Sequence, residues 1–175
     1  MQTLLSALLL LVSIFSAQAE EMPIAPMNNA RITELLERLD FETVGEDGFW
    51  RVVLNGRTMM IVTDENADRM RIMSPVTAAD ALDQQMLLRL MQANFDSALD
   101  ARYAIARGTL WSAFIHPLTP LSDEEFLTGL GQVFNLAETF GESYSSGLLI
   151  FGGGDSADIR EKQVIEELLE KGLSI

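Results

Sequence analysis

Phe49-Trp50-Arg51-Val52-Val53-Leu54-Asn55-Gly56-Arg57-Thr58-Met59-Met60-Ile61-Val62-Thr63 is the stretch that decides the fold. Branched and aromatic residues, which suit strands, flank Asn55-Gly56 on both sides. That dipeptide tolerates positive φ and closes a tight hairpin. The loop Asp64-Glu65-Asn66-Ala67-Asp68 leads into a third run, Met70 to Val76. Three consecutive strands make an antiparallel meander. Period-two alternation sets Met59 and Met60 on opposite faces, and Met70 and Met73 likewise.

Working outward, Ile32, Leu35, Leu36 and Leu39 recur at helical spacing behind an asparagine suited to capping. On the other side a second helix is expected from about Thr77, with Asp80 completing a partial capping box. Its buried stripe would be Leu82, Met86, Leu90 and Ala93, widened by Leu87 and Met91. Two strands follow, Ala101 to Ala106 and Thr109 to Ile115, turning at Arg107-Gly108 and ended by Pro117 and Pro120. Ser122-Asp123-Glu124-Glu125 opens a third helix with a full capping box and acids at the positive end of its dipole. Phe126, Leu130, Val133, Phe134 and Ala137 form its apolar face, and Gly141 sits where a C-cap is expected. Gly129 and Gly131 inside it cost about 1 kcal/mol each against alanine, which points to close packing on the sheet. Leu148 to Phe151 is an apolar patch, Gly152 to Gly154 a joint, and Asp155 to Lys171 a charged amphipathic helix. The expectation is a single α+β domain of order α-βββ-α-ββ-α, with an antiparallel five-stranded sheet packed by helices and a C-terminal helical tail.

At the N-terminus, the apolar run Leu4 to Phe15 ends in Ala17-Gln18-Ala19 before Glu20 and Glu21. A short apolar core with a small-x-small site reads as a secretory signal peptide cleaved between Ala19 and Glu20, too short to span a bilayer. Its n-region has no positive side chain. The expected organisation is a signal peptide over 1–19, a linker over 20–28, the α+β domain over 29–145 and a Gly-hinged tail over 146–175. Export to the periplasm or medium follows, with no stable membrane anchor after cleavage. The chain of 175 residues carries 26 acids, 12 bases and no cysteine, for a net charge of −14. The uncharged first nineteen residues leave all of that charge on the mature part. Such a surface repels nucleic acid and anionic lipid. The missing cysteine rules out disulfides and thiolate chemistry.

Leu90-Met91-Gln92-Ala93-Asn94, Arg107-Gly108-Thr109-Leu110-Trp111 and His116-Pro117-Leu118 through Leu121-Ser122-Asp123-Glu124-Glu125-Phe126 carry a family likeness. With the element order, they make residues 29 to 141 similar to YbjN-like domains, whose fold resembles type III secretion chaperones. The resemblance implies a non-catalytic module with a regulatory or protein-binding role, often self-associating, and it supplies no catalytic residues. A signal peptide departs from secretion chaperones, which act in the cytosol.

Charge is unevenly spread. Residues 49–76 hold Arg51, Arg57, Arg69 and Arg71 against three acids, and residues 102–121 hold Arg102 and Arg107 with none. An arginine-bearing sheet could receive a carboxylate-bearing partner, since guanidinium favours bidentate contacts. The plainer reading is a solvated face, or pairing with the chain's own acids. Methionine suits adaptable protein-binding surfaces as well as cores. The partner-binding candidates are therefore Arg51, Arg69, Arg71, Arg107, Met59 and Met73. The partner would be a protein or peptide segment, or a second copy in a homodimer. A carrier or sensor of a small anionic ligand, using Arg51, Arg69, Arg71 and Arg107 around a concave pocket, is the alternative.

Other patterns fail on their own terms. The methionine spacing does not converge thioethers on Cu(I). Asp64-x-Asn66-x-Asp68 opens like a calcium loop, but Arg69 and Pro75 stand where glycine and glutamate are needed. Gly152-x-Gly154-x-x-Ala157 matches a dinucleotide fingerprint without room for the following strand. His116, the only histidine, has no Gly-x-Ser-x-Gly elbow to serve. No catalytic residue, metal or cofactor is expected.

Overall fold

A computed structural model describes residues 25–96, 98–141 and 155–174. The signal peptide with its cleavage residues Ala17, Ala19 and Glu20, the Leu148 to Phe151 patch and the Gly152 to Gly154 joint lie outside the described residues.

The chain opens with α1, Asn29–Arg38. The Asn28 side chain accepts the Arg31 amide at 2.9 Å, which starts the helix, and Ile32, Leu35 and Leu36 are buried. Six strands follow around two helices: β1 Glu42–Glu46, β2 Phe49–Leu54, β3 Arg57–Asp64, β4 Arg69–Ala78, β5 Arg102–Ala106 and β6 Thr109–His116. All pair antiparallel, in the spatial order β1-β2-β3-β4-β6-β5. The remaining helices are α2, Gln84–Asp96, between β4 and β5, then α3, Asp123–Glu138, and α4, Asp155–Leu173.

The sheet has six strands rather than the expected five. The extra one, β1, has a single apolar side chain, Val44, and two glutamates, and all five positions are exposed, so no hydrophobic alternation marks it. Its signal is the turn. Asp47 and Gly48 have φ of 46° and 102°, as a two-residue hairpin requires. Asn55-Gly56 and Arg107-Gly108 close the other two tight hairpins with φ of 49° and 82°, and 51° and 75°.

The second helix also starts later than expected. Strand β4 runs through Thr77 to Ala78, a 3-10 turn covers Ala79–Ala81, and α2 begins at Gln84. Thr77 pairs with Leu110 across the ladder, and that tertiary pairing overrides the local capping pattern. The Asp83 carboxylate accepts the Met86 amide at 2.7 Å and does the capping instead.

Trp50, Val52, Met59, Ile61, Met70, Ile72 and Phe114 project from one face of the sheet into the main core, with side chains of α1, α3 and α4. A second cluster joins Leu90 and Ala93 of α2 to Tyr103 and Leu110. This is the inner face, and every helix adds buried side chains to it. The capping box of α3 forms as its sequence implies: Ser122 accepts the Glu125 amide while Glu125 accepts the Ser122 amide. Helix α3 ends at Thr139, and Gly141 follows with φ of 87°.

The two glycines inside α3 serve different neighbours. A Cβ on Gly129 would lie 2.9 Å from the Phe114 ring, so this glycine does permit close packing on the sheet. A Cβ on Gly131 would lie 2.6 Å from Ile165 instead, in α4. Gly172 of α4 repays the approach, since a Cβ there would meet Leu127 at 2.6 Å. Leu168 is 2% exposed in the main core, so the tail helix docks as part of the domain.

Candidate functional site

The face of the sheet opposite the helices, the outer face, holds most of the charged candidates. One row runs across all six strands as Val44, Arg51, Met60, Met73, Ala113 and Arg102. The next runs as Glu46, Phe49, Val62, Arg71 and Ile115. Phe49 is 48% exposed and Ile115 59%, while Met60, Val62 and Met73 are half-buried between them. Among the described residues, no helix covers this surface.

Arg51, Arg69 and Arg71 come together here, all exposed. Arg69 faces Asp64 across the ladder and lies close enough to Asp68 to help lower that carboxyl. Arg51 and Arg71 have no ion-pair or hydrogen-bond partner among the described residues. Arg51 has Val44 and Met60 as cross-strand neighbours, and Arg71 has Val62 and Ile115. The side chains directly opposite both guanidinium groups are apolar, with Glu42 and Glu46 on either side of Val44 in β1.

Arg107 does not join them. It sits in the β5–β6 turn beside Thr109, which pairs with Ala78 at the far end of β4 from Arg69. Ten residues of strand separate the two ends, roughly 30 Å. Met59 is also wrongly placed for binding: it is 0% exposed and belongs to the core. Its position in the β2–β3 register points it inward beside Val52. Met73 is on the outer face, paired with Met60 across β3 and β4, a juxtaposition that spacing along one strand does not reveal.

Arginines on the helical side behave differently. Arg31 donates to both carboxylate oxygens of Asp123 and to Glu34, which ties α1 to the start of α3 and raises the Arg31 pKa. Arg38 bonds Glu34 at 2.7 Å and the Gly172 carbonyl at 3.2 Å, clasping α1 to the end of α4. Arg57 reaches inward to Glu138 of α3 and to the Pro75 carbonyl. Pairing with the chain's own acids thus accounts for these three, but not for Arg51 and Arg71.

The loop with calcium-like spacing is a structural turn. Asp64 accepts the amides of Asn66 and Ala67 at 3.0 and 2.9 Å. Asp68 accepts the Thr119 amide at 2.6 Å and its hydroxyl at 2.7 Å, and these bonds hold the Asp68 carboxyl below the usual carboxylate range. His116 stacks on Phe114 with centroids 5.8 Å apart, and its Nδ1 lies 2.7 Å from the Pro117 carbonyl oxygen. That is a packed position.

A second exposed apolar surface escaped the periodicity argument. Leu87 and Met91 do not widen the buried stripe of α2. Leu87 is 36% exposed and Met91 57%, and with Leu88 and Phe95, itself 86% exposed, they make an outward apolar face. Leu82, Leu90 and Ala93 do pack inward. A helix with apolar residues nearly all round offers two stripes, and sequence alone does not say which one meets the sheet. Concavities near the surface are lined by Gln84, Gln85, Leu87, Leu88 and Met91, and by Asn55 to Thr58 with Pro75 and Glu138. Neither includes Arg51, Arg69, Arg71 or Arg107, as an anion carrier would need.

No protein-family model matches the sequence, and no curated protein matches it. Solved structures that resemble the fold include two protein complexes. A chain of the ExsC–ExsE complex is 16% identical with a TM-score of 0.53, covering 65% of this chain and 90% of that one. A chain of the HopA1–SchA chaperone–effector complex is 13% identical with a TM-score of 0.50, covering 65% of this chain and 95% of that one. At these identities the likeness shows the fold alone.

Proposed function

We propose that this protein is a non-enzymatic, exported, YbjN-like module that holds a segment of another protein on the outer face of its sheet. The observation that carries the reading is the pair Arg51 and Arg71, unpartnered among the described residues and set among exposed Phe49 and Ile115 and half-buried Met60 and Met73. Exposed guanidinium groups beside half-buried apolar side chains can meet carboxylates while the apolar surface is covered, which suits a transient protein contact. The chaperone-like fold supports a protein partner, because one of its neighbours was solved as a chaperone–effector complex. Export is supported by the sequence of residues 1–19 and is tested by the mass of the mature protein, expected to begin at Glu20.

The second apolar surface supports a homodimer. Leu88, Met91 and Phe95 recur on one face of α2, flanked by uncharged Gln84, Gln85 and Gln92. In a chain of net charge −14 this is surface on which two copies meet without facing acids against acids, and a two-fold axis would match the patch to itself. Sedimentation is expected to show a dimer that Met91→Ser with Phe95→Ser converts to monomer.

The docking reading is tested by affinity capture from the extracytoplasmic fraction at low and high salt. A salt-sensitive protein partner is expected with the wild type and not with the Arg51→Ala, Arg69→Ala, Arg71→Ala variant. Equal capture by both proteins refutes a site on the outer face.

A further inference from the structure

This inference rests on the outer face being the docking surface and concerns what docks there. We infer that the occupant is an acidic amphipathic helix of a partner protein.

Strand addition is disfavoured at both edges. At the β5 edge, Asn94 of α2 takes the place of a neighbouring strand: its Oδ1 accepts the Tyr103 amide at 2.7 Å and its Nδ2 donates to the Tyr103 carbonyl at 3.0 Å. Gln132 of α3 accepts the Asp100 and Ala101 amides at 2.9 and 3.1 Å just before that strand. At the other edge β1 is five residues long, carries Glu42 and Glu46, and holds Gly45 at φ 111°. Short, charged and irregular strands are how sheets discourage edge pairing. An incoming segment is therefore left with the face.

The face fits a helix. Arg51 and Arg71 are two strands apart and offset by two residues, which places their Cα atoms roughly 12 Å apart. A helix is about 10 Å across, and two of its turns rise about 11 Å. Glutamates seven residues apart would thus meet the two guanidinium groups. The apolar positions between them would then lie over Met60, Val62 and Met73.

Charge sets the sign of the partner. Arg51 and Arg71 have no acid opposite them, so carboxylates meet unpaired cations there. A second copy stacked face to face would set arginine against arginine, so the occupant is another chain.

The test uses the mature full chain and two labelled helical peptides by fluorescence anisotropy. Both carry the same leucines, bracketed in one by glutamates seven residues apart and in the other by lysines. The glutamate peptide is expected to bind, and to bind about tenfold more weakly to Arg51→Glu, Arg71→Glu. The lysine peptide is expected to show the reverse preference. Equal urea midpoints establish that the variants are folded. Equal binding of the two peptides, or indifference to the arginine reversals, overturns the acidic class. If Phe49→Asp with Ile115→Asp still weakens binding in that case, the docking face survives without this partner chemistry. No binding of either peptide to the wild type overturns the helix, and insensitivity of any binding to all four positions removes the docking reading as well.

Discussion

The two faces of one sheet are made by alternate residues of the same strands, yet they do different work. Inward, Trp50, Val52, Met59, Ile61, Met70 and Ile72 are closed off by helices, and the arginines on that side are matched to acids at Asp123, Glu34 and Glu138. Outward, the neighbours of those residues keep Phe49 and Ile115 in water and leave Arg51 and Arg71 unmatched. An internal arginine–acid pair fixes the position of an element. An arginine without one is available to something else.

The comparison breaks most visibly under truncation. Phe126→Ala, which empties an inner-face site that is 0% exposed, is expected to cost about 3–5 kcal/mol in urea denaturation. Ile115→Ala, with a similarly apolar side chain on the outer face, is expected to stay within about 0.5 kcal/mol. Equal costs would mean that the outer face is covered in the free protein.

A smaller effect is expected where α3 meets α4. Gly131→Val drives a side chain into Ile165 and is expected to cost about 1–3 kcal/mol. Amide exchange in α4 should accelerate before exchange in β4 does. Uniform acceleration would show that the tail helix and the sheet open as one unit.

Acid should loosen the side that carries the matched groups. Bonds to Thr119 lower the Asp68 carboxyl, and bonds to Ser122 lower that of Glu125. A carboxyl lowered on folding binds fewer protons in the native state. Its stabilisation is full above the ordinary carboxylate pKa of about 4 and is lost as pH falls through the folded value. Denaturation midpoints should therefore drop below about pH 4. Asp68→Asn keeps an acceptor for Thr119 and removes the titration, so it should flatten that fall.

The smallest effect has the opposite sign. The Ser112 hydroxyl is buried on the inner face with no hydrogen-bond partner among the described residues. Ser112→Ala is expected to stabilise by about 1 kcal/mol, seen as a higher urea midpoint.

Much of this architecture is legible in the chain itself, and the gaps have physical causes. The meander follows from Asn55-Gly56 and its flanking branched residues, and the start of α3 from its capping box, because turn and cap chemistry is local. Strand β1 is missed because an exposed edge strand has no buried face to impose alternation, although Asp47-Gly48 announces its turn. The late start of α2 is missed because a ladder contact between Thr77 and Leu110 outweighs a capping pattern.

The candidate site divides along the same line. Sequence determined five of the six strands, the opposed parity within each methionine pair, the excess of arginine in the strand regions and the acid surplus elsewhere, all properties of composition and short-range geometry. Tertiary structure alone decided the rest. It chose the face that the helices cover, and so buried Met59 and exposed Met73. The register gathered Arg51 and Arg71 beside Met60 and left Arg107 at the far end of the sheet. Matching acids from distant helices went to Arg31 and Arg57, and a distant carbonyl, that of Gly172, to Arg38. Most of these outcomes join residues far apart in the chain, such as Arg31 with Asp123 and Arg57 with Glu138, and no local rule carries information over that separation.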